Sequence, residues 1–196
     1  MGGTPVIEWE PGSNVVGDFT WMLLWDPIVT SSTRRAIETH HLSGFQFGSV
    51  EMVQHPRVKK PTRMTRRTRR RIYLPYEGPE LFSTVISHSV PIEETLSTVI
   101  RHVTCVRCGR FGYDFIGIEH IEYGKWTPGK EIERIRVPRV PGQGLYVLQK
   151  RVAGFDFFRL GGPGFGVACT ERARLAVLEA GLSNIDFFEV GDVVEG

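Results

Sequence analysis

The chain has 196 residues, of which 41% are hydrophobic and 23% charged, as is usual for a folded globular protein. It has no run of the roughly eighteen apolar residues that span a membrane, no secretory leader pattern and too few cysteines for a disulfide scaffold, so we expect a cytoplasmic protein without a membrane span. The net charge of +2 conceals a segment, Arg57–Arg71, that holds nine of the 24 basic residues and no acid, so the rest of the chain carries 15 basic and 22 acidic residues, a balance of −7.

The first predicted elements are a strand, a helix and a strand. Phe19–Trp25 is aromatic and apolar enough for a buried strand. Thr30 or Ser31 then caps a helix, and a turn leads into a second strand with Phe45 and Phe47 on one face. We therefore predict a strand-helix-strand unit over residues 17–53.

The basic segment, residues 57–71, follows this unit. Nine cations in fifteen residues suit phosphate groups, an anionic membrane face or an acidic protein partner. The segment lacks the interleaved aromatic residues that stack on single-stranded bases, which favours a solvated loop or edge strand over direct nucleic-acid binding. The side chains that would bind nucleic acid or an acidic partner are Arg63, Arg66, Arg67, Arg69, Arg70 and Arg71.

The middle of the chain is predicted to be rich in strands. Residues 72–78, 80–90, 130–138 and 144–152 have the β-branched and aromatic content of strands, with Pro and Gly between them. Residues 91–103 fit either a short helix or an extended run. Sheet therefore outweighs helix in this prediction.

A Cys-x-x-Cys-Gly knuckle lies in residues 102–115. Cys105, Cys108 and Gly109 have the geometry of half a tetrahedral zinc site, because the glycine lets backbone N–H groups point at the sulfurs. A complete site needs two further ligands, which Cys169 and a histidine would have to supply. The alternative is a turn that holds no metal.

Residues 154–190 predict a second strand-helix-strand unit. Thr170 is placed to cap its helix, Glu171 suits the helix dipole, and Gly181 lies where a helix ends. The helix also carries an apolar stripe of Leu175, Leu178 and Leu182.

A shift of 140 residues superimposes the two units without a gap, which indicates an internal duplication. The residues that meet under this shift include Thr30 and Thr170, Arg34 and Arg174, Ala36 and Ala176, Leu42 and Leu182, Ser43 and Ser183, and Phe47 and Phe187.

Catalytic motifs are missing from the sequence. It contains no Gly-x-Ser-x-Gly elbow and no His-Glu-x-x-His, and the glycine-rich stretch at 161–166 has neither P-loop nor dinucleotide-binding spacing. We therefore predict that the protein is not an enzyme.

Three blocks of the sequence, residues 17–47, 105–110 and 155–190, resemble the double-CXXCG motif proteins, a paralogous group best known from myxobacteria. The most specific part is the last block, with its Asp-Phe-Phe-Arg-Leu strand, Thr-Glu-Arg helix start and "EAGLSNIDF" exit. The resemblance covers about half the chain and implies an immunity protein of polymorphic toxin systems, which neutralises a toxin by binding it.

This sequence departs from the family pattern at the presumed zinc site. The family has two CXXCG knuckles, whereas only Cys105 and Cys108 can be carried over as ligands here. Cys169 lies where the family often has a serine. The partner knuckle looks deleted, and zinc remains the one cofactor that the resemblance implies.

These observations predict one α+β domain over residues 1–196, with a mixed or antiparallel sheet, few helices, and two similar units flanking an insert that holds the knuckle. The predicted function is neutralisation of a cognate protein toxin by stoichiometric binding. The alternative is a nucleic-acid-binding accessory protein that uses the basic segment.

Overall fold

The computed structural model describes residues 4–9, 16–20, 26–54, 62–66, 76, 78–103, 106–107, 111–126, 128–129, 131–161 and 166–196. These residues form an α+β fold in several small antiparallel and mixed sheets, which confirms the predicted fold class. In chain order the elements are β1 (Val6–Trp9), β2 (Phe19–Thr20), β3 (Ile28–Thr30), α1 (Ser31–Thr39), β4 (Phe45–Gly48), β5 (Glu51–Gln54), β6 (Leu81–Ile86), β7 (Ser89–Val90), β8 (Val99–Val103), β9 (Phe111–Phe115), β10 (His120–Tyr123), β11 (Arg134–Val137), β12 (Leu145–Leu148), α2 (Gln149–Val152), β13 (Phe157–Leu160), β14 (Val167–Cys169), α3 (Glu171–Glu179) and β15 (Gly191–Val194).

The chain divides into two compact units. Unit 1 comprises Met1–His88, Phe155–Phe157 and Val167–Ile185, and unit 2 comprises Ser89–Gly154, Phe158–Gly166 and Asp186–Gly196. Unit 1 therefore contains both α1 and α3 with the strands that precede them, and unit 2 contains the segment around the knuckle.

Unit 1 is built on a four-stranded antiparallel sheet in the order β2-β3-β6-β4. Alternation along β4 places Phe45 and Phe47 on one face, as predicted, and Phe45 packs against Phe157 with ring centroids 4.5 Å apart. The helices α1 and α3 pack against each other in the same unit. The buried apolar residues of unit 1 are Phe19, Ile28, Val29, Ile37, Leu42, Ile86, Phe157, Ala173, Ala176 and Val177.

The helices α1 and α3 begin in the same way. The side chain of Thr30 accepts a hydrogen bond from the N–H of Thr33, and the side chain of Thr170 accepts one from the N–H of Ala173. Each threonine satisfies a backbone donor that the first helical turn leaves unpaired. The bounds of the two helices coincide under the predicted shift of 140 residues.

The two helices also end in the same way. His41 and Gly181, which correspond under the shift, have φ values of 49° and 63°. The N–H groups of Leu42 and Leu182 then bond back to carbonyls five residues earlier. A left-handed residue after the last turn is a common helix stop, and glycine adopts it without the steric cost that histidine bears.

The carboxylate of Asp18 ties the start of α1 to the segment after α3. Thr30 Oγ1 donates to Asp18 Oδ1 at 2.6 Å, while the backbone N–H and the hydroxyl of Ser183 donate to Asp18 Oδ2 at 2.9 and 2.8 Å. Burial by itself would raise the pKa of Asp18, but these hydrogen bonds outweigh it and hold the pKa below the ordinary 3.8.

Asp156 makes the reciprocal connection. Thr170 Oγ1 donates to Asp156 Oδ1 at 3.1 Å, and the N–H and hydroxyl of Ser43, which follows α1, donate to Asp156 Oδ2 at 2.8 and 3.1 Å. Thr170 and Ser43 thus stand to Asp156 as the residues offset by 140 stand to Asp18. Each aspartate links its own helix cap to the end of the other helix, which fixes the pairing of α1 with α3.

Arg172 distinguishes the two halves of this arrangement. Its guanidinium bonds Asp156 Oδ1 at 3.0 Å and donates to the carbonyls of His40 and His41 at 3.1 and 3.2 Å. It thereby satisfies carbonyls at the end of α1 as well as the carboxylate. The equivalent residue of α1 is Ser32, so this contact occurs in one half alone.

The predicted exit strand of the second unit is wrong in its position. Residues 185–190 are not a strand, and β15 begins only at Gly191. In this segment the side chain of Arg136 bonds the carboxylate of Asp186 at 3.1 Å and the carbonyl of Phe187. A side chain rather than a neighbouring strand therefore satisfies part of its backbone.

The first unit also differs in detail from its prediction. The strand expected over Phe19–Trp25 is seen as β2 at Phe19–Thr20, and residues 21–25 lie outside the described residues. A further strand, β3, leads into α1 at Ile28–Thr30. Its burial on both faces leaves no alternation of polar and apolar residues from which to predict it.

Unit 2 consists of short paired strands. β8 and β9 are antiparallel, β10 and β11 form an antiparallel hairpin, β12 and β15 are parallel, and β13 pairs with β7 in parallel. Of the two options for residues 91–103, the extended run is confirmed by β8. The buried apolar residues of unit 2 are Val90, Leu145, Val147, Val152, Phe158 and Leu160.

Candidate protein-binding surface

The helix α3 presents leucines to solvent. Ala173, Ala176 and Val177 are buried, whereas Leu175 and Leu178 are each 53% exposed. The predicted apolar stripe therefore exists but does not face the core, because the small alanines let α3 approach its neighbours closely and turn the leucines outward. The buried residues form a second stripe at helical spacing, which is the signal that sequence reasoning missed.

Two carboxylates flank these leucines. Glu171 lies one turn before Leu175 and Glu179 one turn after it, and both are exposed. Arg174 binds Glu171 with two hydrogen bonds of 2.7 and 2.6 Å, which lower the pKa of Glu171. We call Glu171, Leu175, Leu178 and Glu179 the α3 leucine face.

The β10–β11 hairpin exposes a second set of large side chains. Tyr123 and Trp126 are 65% and 70% exposed, and Ile132 and Ile135 are also exposed. Arg134 lies over the ring of Tyr123 at 5.9 Å and pairs with the same residue in the ladder. Tyr, Trp and Arg are the residue types that most often anchor protein interfaces. Sequence analysis identified β11 but not the exposure of this hairpin.

The charges are distributed unevenly between the two units. Outside the basic segment, unit 1 has four basic and eleven acidic residues, which gives a balance of −7. Unit 2 has eleven of each. The acid excess found in the whole sequence therefore belongs to the unit that carries the α3 leucine face.

The predicted basic site lies partly outside the described residues. Arg63 and Arg66 are exposed. Exposure is what a phosphate-binding or acid-binding arginine requires, and it is equally what a solvated loop shows. The other predicted residues, Arg67, Arg69, Arg70 and Arg71, lie outside the described part of the chain.

The predicted zinc half-site, Cys105 and Cys108, also lies outside the described residues. Among the described residues, no three His, Cys, Asp or Glu side chains are close enough together to hold a metal ion. Burial raises the pKa of Cys169 to about 12, and the nearby Arg174 lowers it only in part. Cys169 is thus held as a thiol, which does not fit the thiolate that a zinc site needs.

The strongest electrostatic perturbations in unit 2 accompany ion pairs. Arg139 has a nearly buried side chain, donates to Glu189 at 2.9 Å and also binds Asp192. Hydrogen bonding to Asp192 raises the pKa of Arg139 above its ordinary range and lowers that of Asp192. These bonds attach the C-terminal segment to residues 139–146, so the shifts have a structural cause.

No family model, curated protein or solved structure matches this chain. A search of the described helices for one both long and apolar enough to cross a bilayer found none.

Proposed function

We propose that this chain is an immunity protein of the double-CXXCG group, which neutralises a cognate bacterial toxin in the cytoplasm by forming a stoichiometric complex. The observation that carries the proposal is the acid excess of unit 1, four basic against eleven acidic residues outside the basic segment. An acidic surface attracts a basic partner and suppresses wrong partners. The resemblance of three sequence blocks to immunity proteins supports the same reading.

The partner with matching chemistry is a basic toxin, such as one that acts on nucleic acid. Proteins that bind phosphates carry clustered Lys and Arg around their sites. An acidic protein that covers such a site blocks it without chemistry of its own. Charge steering also speeds the encounter, which favours the immunity protein in competition with the nucleic acid.

Co-expression tests the proposal. The toxin domain encoded beside this gene is induced in a bacterial host with and without this chain. We expect growth to stop with the toxin domain alone and to continue when the chain is present. Growth arrest in both cultures, with both proteins detected, would refute the immunity function.

A second candidate function rests on the exposure of Arg63 and Arg66. These residues would bind the phosphates of nucleic acid, together with the other arginines of the basic segment. Counterion release makes such binding strongly salt-dependent. The two functions therefore separate in a binding assay at increasing salt.

A further inference from the structure

The α3 leucine face has a counterpart of different chemistry elsewhere in unit 1. Under the shift of 140 residues, Leu175 corresponds to Arg35 and Leu178 corresponds to Glu38. All four residues are exposed. At these two positions the helix α1 thus carries a charged pair that water solvates, and α3 carries two leucines.

This comparison shows that the fold does not require leucine at either position. α1 and α3 share their caps, their ends and the pattern of buried residues, so the local demands of folding on the two helices are the same. Solvent-exposed leucine contributes little to the core and leaves apolar area in water. The leucines therefore answer to something other than the packing of α3.

The surroundings of Leu175 and Leu178 define what would cover them. Glu171 and Glu179 lie on either side along the helix, and the unit carries a balance of −7 outside the basic segment. A helix that offers an apolar stripe between carboxylates matches an apolar groove bordered by Lys and Arg. A second copy of this chain would instead bring like charges together.

The geometry points to the α3 leucine face as the docking site for the basic toxin, with Leu175 and Leu178 entering an apolar groove that Lys and Arg border. This assignment rests on the proposed function and adds the surface that performs it. The leucines give affinity as central anchors, and the carboxylates orient the partner and accelerate its approach.

The experiment replaces the leucine pair with the residues that α1 already carries, as the double variant Leu175→Arg and Leu178→Glu. The two changes cancel in charge, so a loss of affinity cannot come from net charge. The matched control is Leu96→Ala in unit 2, since Leu96 is also 53% exposed. Calorimetric titration with the toxin domain encoded beside this gene measures affinity, and thermal unfolding of each variant checks the fold.

We expect the double variant to bind about 100-fold more weakly than the wild type, as for the loss of two central anchors, and Leu96→Ala to bind normally. Wild-type binding that the double variant retains would overturn the docking assignment and leave the proposed function intact. An absence of wild-type binding would overturn both.

Sedimentation of the chain alone tests the second-copy alternative. We expect a monomer for both the wild type and the double variant. A wild-type dimer that the double variant converts to a monomer would assign the leucine face to self-association and overturn the inference. Retained thermal stability ensures that weak binding is not a consequence of misfolding.

Discussion

Asp18 and Asp156 occupy equivalent places in unit 1, and each carboxylate accepts hydrogen bonds from the cap threonine of its own helix and from the serine that follows the other helix. The spacing from aspartate to threonine is 12 residues in the first case and 14 in the second. A two-residue difference upstream thus leaves the contact unchanged. This reciprocal bracket orients α3, and with it the leucines that we assign to docking.

Removing the carboxylates is expected to destabilise unit 1 unequally. Asp156 is 5% exposed and also binds Arg172, so Asp156→Ala should lower the free energy of unfolding by about 3 kcal/mol, because buried donors lose their acceptor. Asp18→Ala should cost about 1–2 kcal/mol, as this carboxylate is less buried. Urea unfolding measures both.

The control for these two variants is Glu131→Ala, an exposed carboxylate in unit 2 whose removal should change stability by less than about 0.5 kcal/mol. Equal losses for all three variants would show that the bracket has no special role.

Acid should weaken the fold through the same two groups. Burial would raise the pKa of Asp156, but hydrogen bonds from Ser43, Arg172 and Thr170 outweigh it, and the pKa of Asp156, like that of Asp18, lies below the ordinary 3.8. The unfolded chain therefore takes up protons first. The stabilisation is complete above pH 3.8 and is lost as the pH falls through the lower folded values.

Unfolding measured from neutral pH downward tests this dependence. The double variant Asp18→Asn and Asp156→Asn should start less stable and lose less stability in acid than the wild type. The same acid dependence in the wild type and the double variant would assign it to other groups.

Two glycines with positive φ should respond differently to alanine. Gly44 has φ +112°, and an added Cβ would collide with the backbone carbonyl of Phe157. Gly154 has φ +87°, and the space around it is open. We expect about 1 kcal/mol for Gly154→Ala, from strain alone, and at least about 3 kcal/mol for Gly44→Ala.

Thermal unfolding compares the two glycine variants. A similar small cost at both positions would mean that the turn after α1 can move away from Phe157, and the close approach would then not be a determinant of the fold.

The basic segment gives a prediction that separates the two candidate functions. Changing Arg63, Arg66, Arg67, Arg69, Arg70 and Arg71 to serine removes six positive charges. This variant should lose any salt-sensitive binding to DNA or RNA but should still rescue cells from the toxin. Filter binding at two salt concentrations and the growth assay measure the two properties. Loss of rescue would place the arginines in the immunity function.

Local signals in the sequence predicted the ends of the helices. Thr30, Thr170 and Gly181 lie where capping rules place them, and the shift of 140 residues is reproduced in the helix bounds. The reciprocal bracket was not predictable, because Asp18 and Ser183 are 165 residues apart in the sequence. No local pattern specifies a contact at that separation.

The surface was harder to predict than the helices. Leu175 and Leu178 form one stripe at helical spacing, and Ala173, Ala176 and Val177 form another. Hydrophobicity favours the leucines for the core, but close packing of α3 selects the smaller residues. Tertiary contact decides between two stripes that periodicity alone allows.

The central claim is that this chain neutralises its toxin by occupying it and not by a reaction. Purified chain is titrated into a fixed amount of the toxin domain encoded beside its gene, and residual toxin activity is measured at concentrations well above the dissociation constant. We predict a linear fall that reaches zero at one chain per toxin. Complete loss of activity at a small fraction of that ratio would indicate turnover and contradict the claim, as would full activity in excess chain.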